Sequence, residues 1–140
     1  MNTALRNSAT AVEWLRAGRR LAKALLVEVE GSAPFASGAS MLIDAEGSLT
    51  GSITGGCVEA AVAEEALAVL AGGAPRTCTF GISDELAGEV GLACGGIVHV
   101  FVHELAGEAA AVELQAAEAI AAGQPTAIAT LLDGSTAGAK

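Results

Sequence analysis

The chain has 140 residues, 52% of them hydrophobic, and a formal net charge of -9. This length is typical of a single domain with its own core. So acidic a chain lacks the charge of a free-standing phosphate-backbone binder, which excludes nucleic acid as a partner. No segment fits a secretory signal or a membrane span. The odd number of cysteines, three, indicates reduced thiols. We therefore expect a soluble protein of the cytoplasm.

The first half of the chain predicts one helix followed by three strands. Thr10-Ala11-Val12-Glu13 fits a capping box, so we expect a helix to begin near residue 10 and to end at Gly18. Alternating apolar residues then predict strands, and the loop Gly31-Ser32-Ala33-Pro34 separates the first from the second. The predicted strands cover residues 21–30, 40–43 and 48–53.

The second half of the chain alternates between helical and extended patterns. Apolar residues at helical spacing follow Gly55-Gly56, and an acidic loop lies between Gly81 and Gly91. The strands and helices lack a regular βαβ rhythm, which favours an α+β fold. We expect a single domain with a mixed sheet of about six short strands and two or three packed helices. The predicted helices cover residues 57–71 and 108–122, and the predicted strands cover residues 76–80, 97–104 and 126–132.

Two loops place a cysteine beside a pair of glycines. Gly55-Gly56-Cys57 stands before a predicted helix, and Cys94-Gly95-Gly96 stands before a predicted strand. Paired glycines allow the backbone to approach a ligand closely, and a helix start favours negative charge and a reactive thiolate. Each loop alone also fits a tight turn with a small buried cysteine. Their repetition indicates one pocket approached from two sides.

Other classes of site find no support in the sequence. Neither loop fits a phosphate-binding Walker loop or a dinucleotide fingerprint. His99 and His103 lie on one predicted strand, where their Cα atoms would be about 13 Å apart, too far to share a metal. We expect both histidines to line a half-exposed face of the sheet. Cys78 lies in the middle of a predicted strand and is expected to be a core residue.

Five ordered blocks make the sequence similar to a known family. They contain Ser32, the first diglycine loop with Cys57, Asp84 in the acidic loop, and the second diglycine loop with Cys94. Together they resemble the N-terminal domain of the XdhC/CoxI family of xanthine dehydrogenase accessory proteins, over roughly residues 10 to 132. The resemblance implies an XdhC/CoxI-like N-terminal domain over residues 1–140, without the family's usual C-terminal domain of Rossmann type.

The resemblance also implies a function and a site. Family members bind the molybdenum cofactor (molybdopterin) transiently, hold it while a cysteine desulfurase supplies sulfur, and help to insert it into a molybdenum hydroxylase. The resemblance places Cys57 in contact with the cofactor, as a ligand to its molybdenum, and identifies Cys94 as the second family cysteine. Phe35 stands where the family often has a basic residue. We therefore expect the backbone amides near Cys57 to bind the cofactor's phosphate. The implied cofactor-binding residues are Ser32, Gly55, Gly56, Cys57, Asp84, Cys94, Gly95 and Gly96.

Two alternatives remain open beside a cofactor chaperone that is not itself an enzyme. One is a thiol or sulfur-transfer enzyme with Cys57 as nucleophile, which would need a nearby base. The other is a degenerate assembly module, and the sequence also allows a homo-oligomer.

Overall fold

A five-stranded antiparallel sheet forms the centre of the fold, in the strand order β3-β2-β1-β5-β4. A computed structural model describes residues 3–81 and 95–140. Within them, no helix is both long and apolar enough to span a bilayer. The elements, in chain order, are α1 (Thr3–Arg16), β1 (Leu21–Glu30), β2 (Ser40–Asp44), β3 (Leu49–Gly51), α2 (Glu59–Leu70), β4 (Arg76–Gly81), β5 (Ile97–Glu104) and α3 (Gly107–Ala121).

The expected single α+β domain is confirmed, with corrections to its first helix and its last predicted strand. The first helix begins at Thr3 rather than near residue 10. Its early turns are held by tertiary contact, because Asn7 on α1 donates to the Ser40 carbonyl at 2.8 Å. The predicted strand over residues 126–132 is wrong. There the chain folds back on itself, since the Leu131 amide donates to the Ala139 carbonyl and the Gly138 amide donates to the Leu131 carbonyl.

One face of the sheet packs against α2. Successive side chains of a strand point to opposite faces, so alternate residues of β1 and β5 meet the helix. Ala22 and Ala24 of β1 join Val98 and Val100 of β5 in a core that Val62 of α2 completes. All five side chains are fully buried. This packing fixes where α2 begins, and therefore where the loop before it must end.

The other face of the sheet packs against α1, which in turn contacts α3. Ala11 and Trp14 of α1 are buried on Leu21 and Leu42 of the sheet, together with Leu105. The sheet thus has helices on both sides, and α1 runs beside β2 and β3. That position brings the first turns of α1 close to the segment that follows β3.

His103 lies within this second face, and the expectation that it is half-exposed is wrong. Its side chain is fully buried and stacks on Phe101, with ring centroids 5.1 Å apart. Neither ring nitrogen has a hydrogen-bond partner among the described residues. Burial, with smaller contributions from Lys140 and Lys23, lowers the pKa of His103 to about 3. The imidazole is therefore neutral in the folded protein at neutral pH.

We predict that His103 makes folding stability depend on pH. The folded pKa lies below the ordinary value of 6.5, so the unfolded chain binds the extra proton and stability falls as pH drops from about 6.5 towards 3. His103→Phe should reduce the loss of unfolding free energy between pH 7 and pH 5 by up to about 2 kcal/mol. Urea unfolding at the two pH values measures this loss. An unchanged loss in His103→Phe would contradict the prediction.

Candidate functional site

Three loops leave the sheet at the same end. Glu30 at the end of β1 pairs with Ile97 at the start of β5, and Met41 at the start of β2 pairs with Gly51 at the end of β3. Gly81, the last residue of β4, also pairs with Ile97. Antiparallel pairing therefore places the loop after β1, the loop after β3 and the diglycine before β5 at the same end of the sheet.

Glycines allow these loops to touch. A Cβ atom at Gly96 would lie 2.0 Å from the Ser32 carbonyl oxygen, so only glycine fits there without a shift of the backbone. A Cβ atom at Gly55 would lie 4.0 Å from the ring of Phe35. The loop over residues 31–37 therefore contacts both diglycine segments.

The Glu59 carboxylate organises the loop between β3 and α2. It accepts six hydrogen bonds, three on each oxygen, from four backbone amides and two hydroxyl groups. The distances run from 2.5 Å for the Ser52 hydroxyl to 3.2 Å for the Val58 amide. The donors are the hydroxyl of Ser52, the amide of Ile53, the amide and hydroxyl of Thr54, and the amides of Gly56 and Val58.

Two further hydrogen bonds lock the same turn. The Gly55 amide donates to the Ser52 hydroxyl oxygen at 2.9 Å, and the Val58 amide also approaches the Thr54 hydroxyl oxygen at 3.2 Å. Gly55 and Gly56 have φ values of +79° and +122°, which L side chains rarely adopt. The two glycines thus provide the reversal that brings the amides onto one carboxylate.

The hydrogen bonds control the ionisation of Glu59. Burial on its own would raise the pKa of this carboxyl group, but the hydrogen bonds from Ser52, Thr54 and Ile53 outweigh it and lower the pKa to about 2. Glu59 is therefore ionised at neutral pH, and the loop contains its own bound anion. Sequence patterns did not indicate this role, because it depends on where the amides of the folded loop point.

The position of Glu59 bears on the expected phosphate site. The amides of Gly56 and Val58 were expected to bind the phosphate of a ligand, but they donate to Glu59 instead. A second anion at these amides would meet the charge of the first. The geometry therefore argues against a phosphate on these amides in this conformation.

Cys57 lies at the outer side of the loop. It is exposed, with a free thiol, and it precedes α2, which begins at Glu59 rather than at residue 57 as predicted. Cys94 and Asp84 lie outside the described residues, so the convergence of two thiols on one pocket stays a prediction. Within residues 3–81 and 95–140, no three His, Cys, Asp or Glu side chains are grouped so that they could hold a metal ion.

A cavity of about 420 Å³ adjoins the loop on the side of α1. Its wall includes Arg6 of α1, Phe35 of the loop after β1, and Gly51 and Ser52 at the end of β3. Ser52 belongs to both places, since it lines the cavity and donates to Glu59. Sequence patterns did not single out Arg6, because only the packing of α1 beside β3 brings it here.

His99 forms hydrogen bonds with residues other than Cys57. His99 Nδ1 lies 2.9 Å from the Thr79 hydroxyl, and Nε2 lies 2.7 Å from the Glu30 carboxylate. Hydrogen bonds thus occupy both ring nitrogens of His99, whereas both nitrogens of His103 are buried. Neither histidine is arranged as a base for Cys57.

The described chain is thus a small α+β domain that presents a thiol on a loop built around an internal carboxylate. Residues 14–81 match the model of the XdhC and CoxI family. Over these residues the chain belongs to the XdhC and CoxI family, as its sequence blocks indicated.

Two relatives with curated names each match more than half of the chain. The molybdenum cofactor insertion chaperone PaoD of Escherichia coli is 37% identical over 95 residues, which is 68% of this chain and 30% of PaoD. A probable xanthine dehydrogenase subunit of Bacillus subtilis is 37% identical over 90 residues, or 61% of this chain and 26% of that protein. The chain therefore spans less than a third of the length of these relatives.

A solved structure confirms the fold. The crystal structure of a xanthine dehydrogenase from Bacillus halodurans superposes with a TM-score of 0.71, at 24% sequence identity. The match covers 84% of this chain and 35% of that one. At this identity the likeness concerns the fold alone.

We predict that Glu59→Gln destabilises the domain at neutral pH by about 2 kcal/mol, because a neutral amide replaces a charged acceptor and places its NH₂ group among donors. The pKa of Glu59 is lowered from 4.5 to about 2, so its contribution is fully present above pH 4.5 and is lost as pH falls towards 2. Urea unfolding at pH 7 and pH 2.5 should show the difference between variant and wild type shrinking at the lower pH.

Glu64→Gln is the matched control for this prediction. Glu64 lies on the same helix but is exposed, so its variant should stay within about 0.5 kcal/mol of wild type. Equal stability of Glu59→Gln and Glu64→Gln at pH 7 would show that the carboxylate does not organise the loop.

Proposed function

We propose that this domain binds the molybdenum cofactor and assists its insertion into a molybdenum hydroxylase. The observation that carries the proposal is the exposed thiol of Cys57 on a loop whose backbone is fixed by Glu59. A relative that matches 68% of the chain is named as a molybdenum cofactor insertion chaperone. The family assignment over residues 14–81 is consistent with an accessory role.

The residues present suit a molybdenum cofactor. A thiolate is a soft ligand of the kind that favours transition metals over hard cations such as magnesium. When bound, the cofactor would supply the redox chemistry of the client enzyme, whereas this chain would supply a ligand and a binding surface. Cys57 would be the contact to the metal, and Ser32, Gly95 and Gly96 would form the facing loop surface. Cys94 and Asp84 are retained as proposed members of the same site.

The rigidity of the loop supports holding rather than catalysis. Six hydrogen bonds to Glu59 fix the backbone on both sides of Cys57, so the thiol can be presented without the cost of ordering a loop. A sulfur-transfer enzyme would need a base near the thiol, but His99 is hydrogen-bonded to Glu30 and His103 is fully buried in the core. We therefore rank cofactor binding above a thiol enzyme.

The partners belong to the proposal as well. A molybdenum hydroxylase would receive the cofactor, and a cysteine desulfurase would supply sulfur to it while it is held here. Residues 1–140 would act as the cofactor-binding unit, alone or as a homo-oligomer. The degenerate assembly module is the outcome if no cofactor binds.

Binding of molybdopterin to the purified protein, measured by co-elution and absorbance, tests the proposal. We expect Cys57→Ser to weaken binding about tenfold, as loss of one strong contact would. Cys78→Ser is the control, because Cys78 lies on β4 and packs against the core beneath α2, and it should bind like wild type. Equal retention of molybdopterin by wild type and Cys57→Ser would show that Cys57 is not part of the site. No retention of molybdopterin by wild type would refute the proposal.

A further inference from the structure

The basic residues of the chain differ in whether they form an ion pair, which the sequence does not show. Six of the seven form ion pairs with carboxylates. Arg6 is the exception among the described residues, although the chain has 16 acidic residues and only seven basic ones. In so acidic a chain, a cation without a carboxylate partner indicates a place reserved for another anion. The paired residues are Arg16, Arg19, Arg20, Lys23, Arg76 and Lys140.

The surroundings of Arg6 form a concave site. Arg6 lines the cavity of about 420 Å³ that adjoins the loop after β3, and none of the described residues that line it is acidic. The side chains that share the cavity with Arg6 include the hydroxyls of Ser40 and Ser52 and the ring of Phe35, which is 42% exposed. A guanidinium group with hydroxyl donors suits a phosphate, and an exposed aromatic ring suits a flat apolar group.

Two other sets of donors near this end of the fold are already engaged. Lys23 lines the neighbouring cavity of about 340 Å³, but its ammonium group lies 2.7 Å from the Glu113 carboxylate. In the diglycine loop, the Gly56 amide donates to Glu59 and the Gly55 amide donates to the Ser52 hydroxyl oxygen. Arg6 is thus the cation next to the Cys57 loop that remains without a described partner.

We infer that the cavity between Arg6, Phe35 and Ser52 binds the phosphate monoester of an organic ligand whose other end reaches the Cys57 loop. The inference rests on the proposed function, since it divides the recognition of one ligand between a cation on α1 and a thiol before α2. Arg6 would bind the phosphate oxygens, and Phe35 would cover the adjoining apolar part. Ser40 would add a hydroxyl donor, since its oxygen accepts from Asn7 and its proton has no acceptor among the described residues. Phe35 lines the cavity and also lies against Gly55, so the cavity is continuous with the diglycine loop.

The test compares molybdopterin with and without its terminal phosphate, removed by a phosphatase, on wild-type protein and two variants. Wild type should bind the phosphorylated form about tenfold more tightly at low salt, which corresponds to one charge-assisted contact. Arg6→Gln should abolish this preference. Arg16→Gln is the matched control, because Arg16 lies on the same helix and pairs only with the exposed Glu118 at 3.8 Å, and it should keep the preference.

The possible failures are distinguishable. If Arg6→Gln keeps the preference, or wild type shows none, the inference is overturned, while a loss of binding in Cys57→Ser would still support the proposed function. If wild type binds neither form, the proposed function fails. In that case, titration with inorganic pyrophosphate, followed by NMR of the Arg6 guanidinium, tests the anion site independently of the proposed function. A shift of the Arg6 signal without a matching shift of the Arg16 signal supports an anion site, whereas no shift, or an equal shift of both signals, overturns it.

Discussion

The hydrogen bonds between the Glu59 carboxylate and the amides of its own loop constrain this end of the fold. The chain must leave β3 at Gly51, reverse through Gly55 and Gly56, and enter α2 at the position that the core dictates. Such a reversal points several N–H groups to one spot, where each needs an acceptor. One carboxylate from the first turn of α2 satisfies four of them. The exposure of Cys57 follows from this arrangement, because the backbone on both sides of it is held inward.

This internal anion changes how the loop can be used. A glycine-rich turn before a helix is usually interpreted as a binding site for external phosphate. Here Glu59 occupies that position, and the thiol of Cys57 is the group that faces outward. Recognition of an anionic ligand must then depend on a cation from another element. Arg6 on α1 has the position for this role, since its cavity shares Ser52 with the Glu59 contacts.

Sequence patterns predicted the elements that local sequence determines. They missed the features that depend on tertiary contacts. The strands over Leu21–Glu30 and Ile97–Glu104 were predicted with their observed bounds, because their apolar alternation is long and glycines flank it. The start of α1 was missed because Thr10 resembles a cap while Asn7 is held by Ser40 across 33 positions. The roles of Glu59 and Arg6 could not be found in the same way. The first depends on where four amides point, and the second depends on how α1 packs beside β3.

Recognition at two separated groups is suited to a protein that must release what it binds. Cys57 and Arg6 are both exposed, so water and salt weaken each contact, and neither alone can give tight binding. A ligand that spans both gains affinity because the loop carrying Cys57 is already ordered by Glu59 and adds little entropy cost. Loss of either contact to a competing partner then leaves only the weaker one, and dissociation becomes fast. In the proposed role, a rigid loop and solvent-exposed contacts would therefore combine specific holding with transfer to a client enzyme.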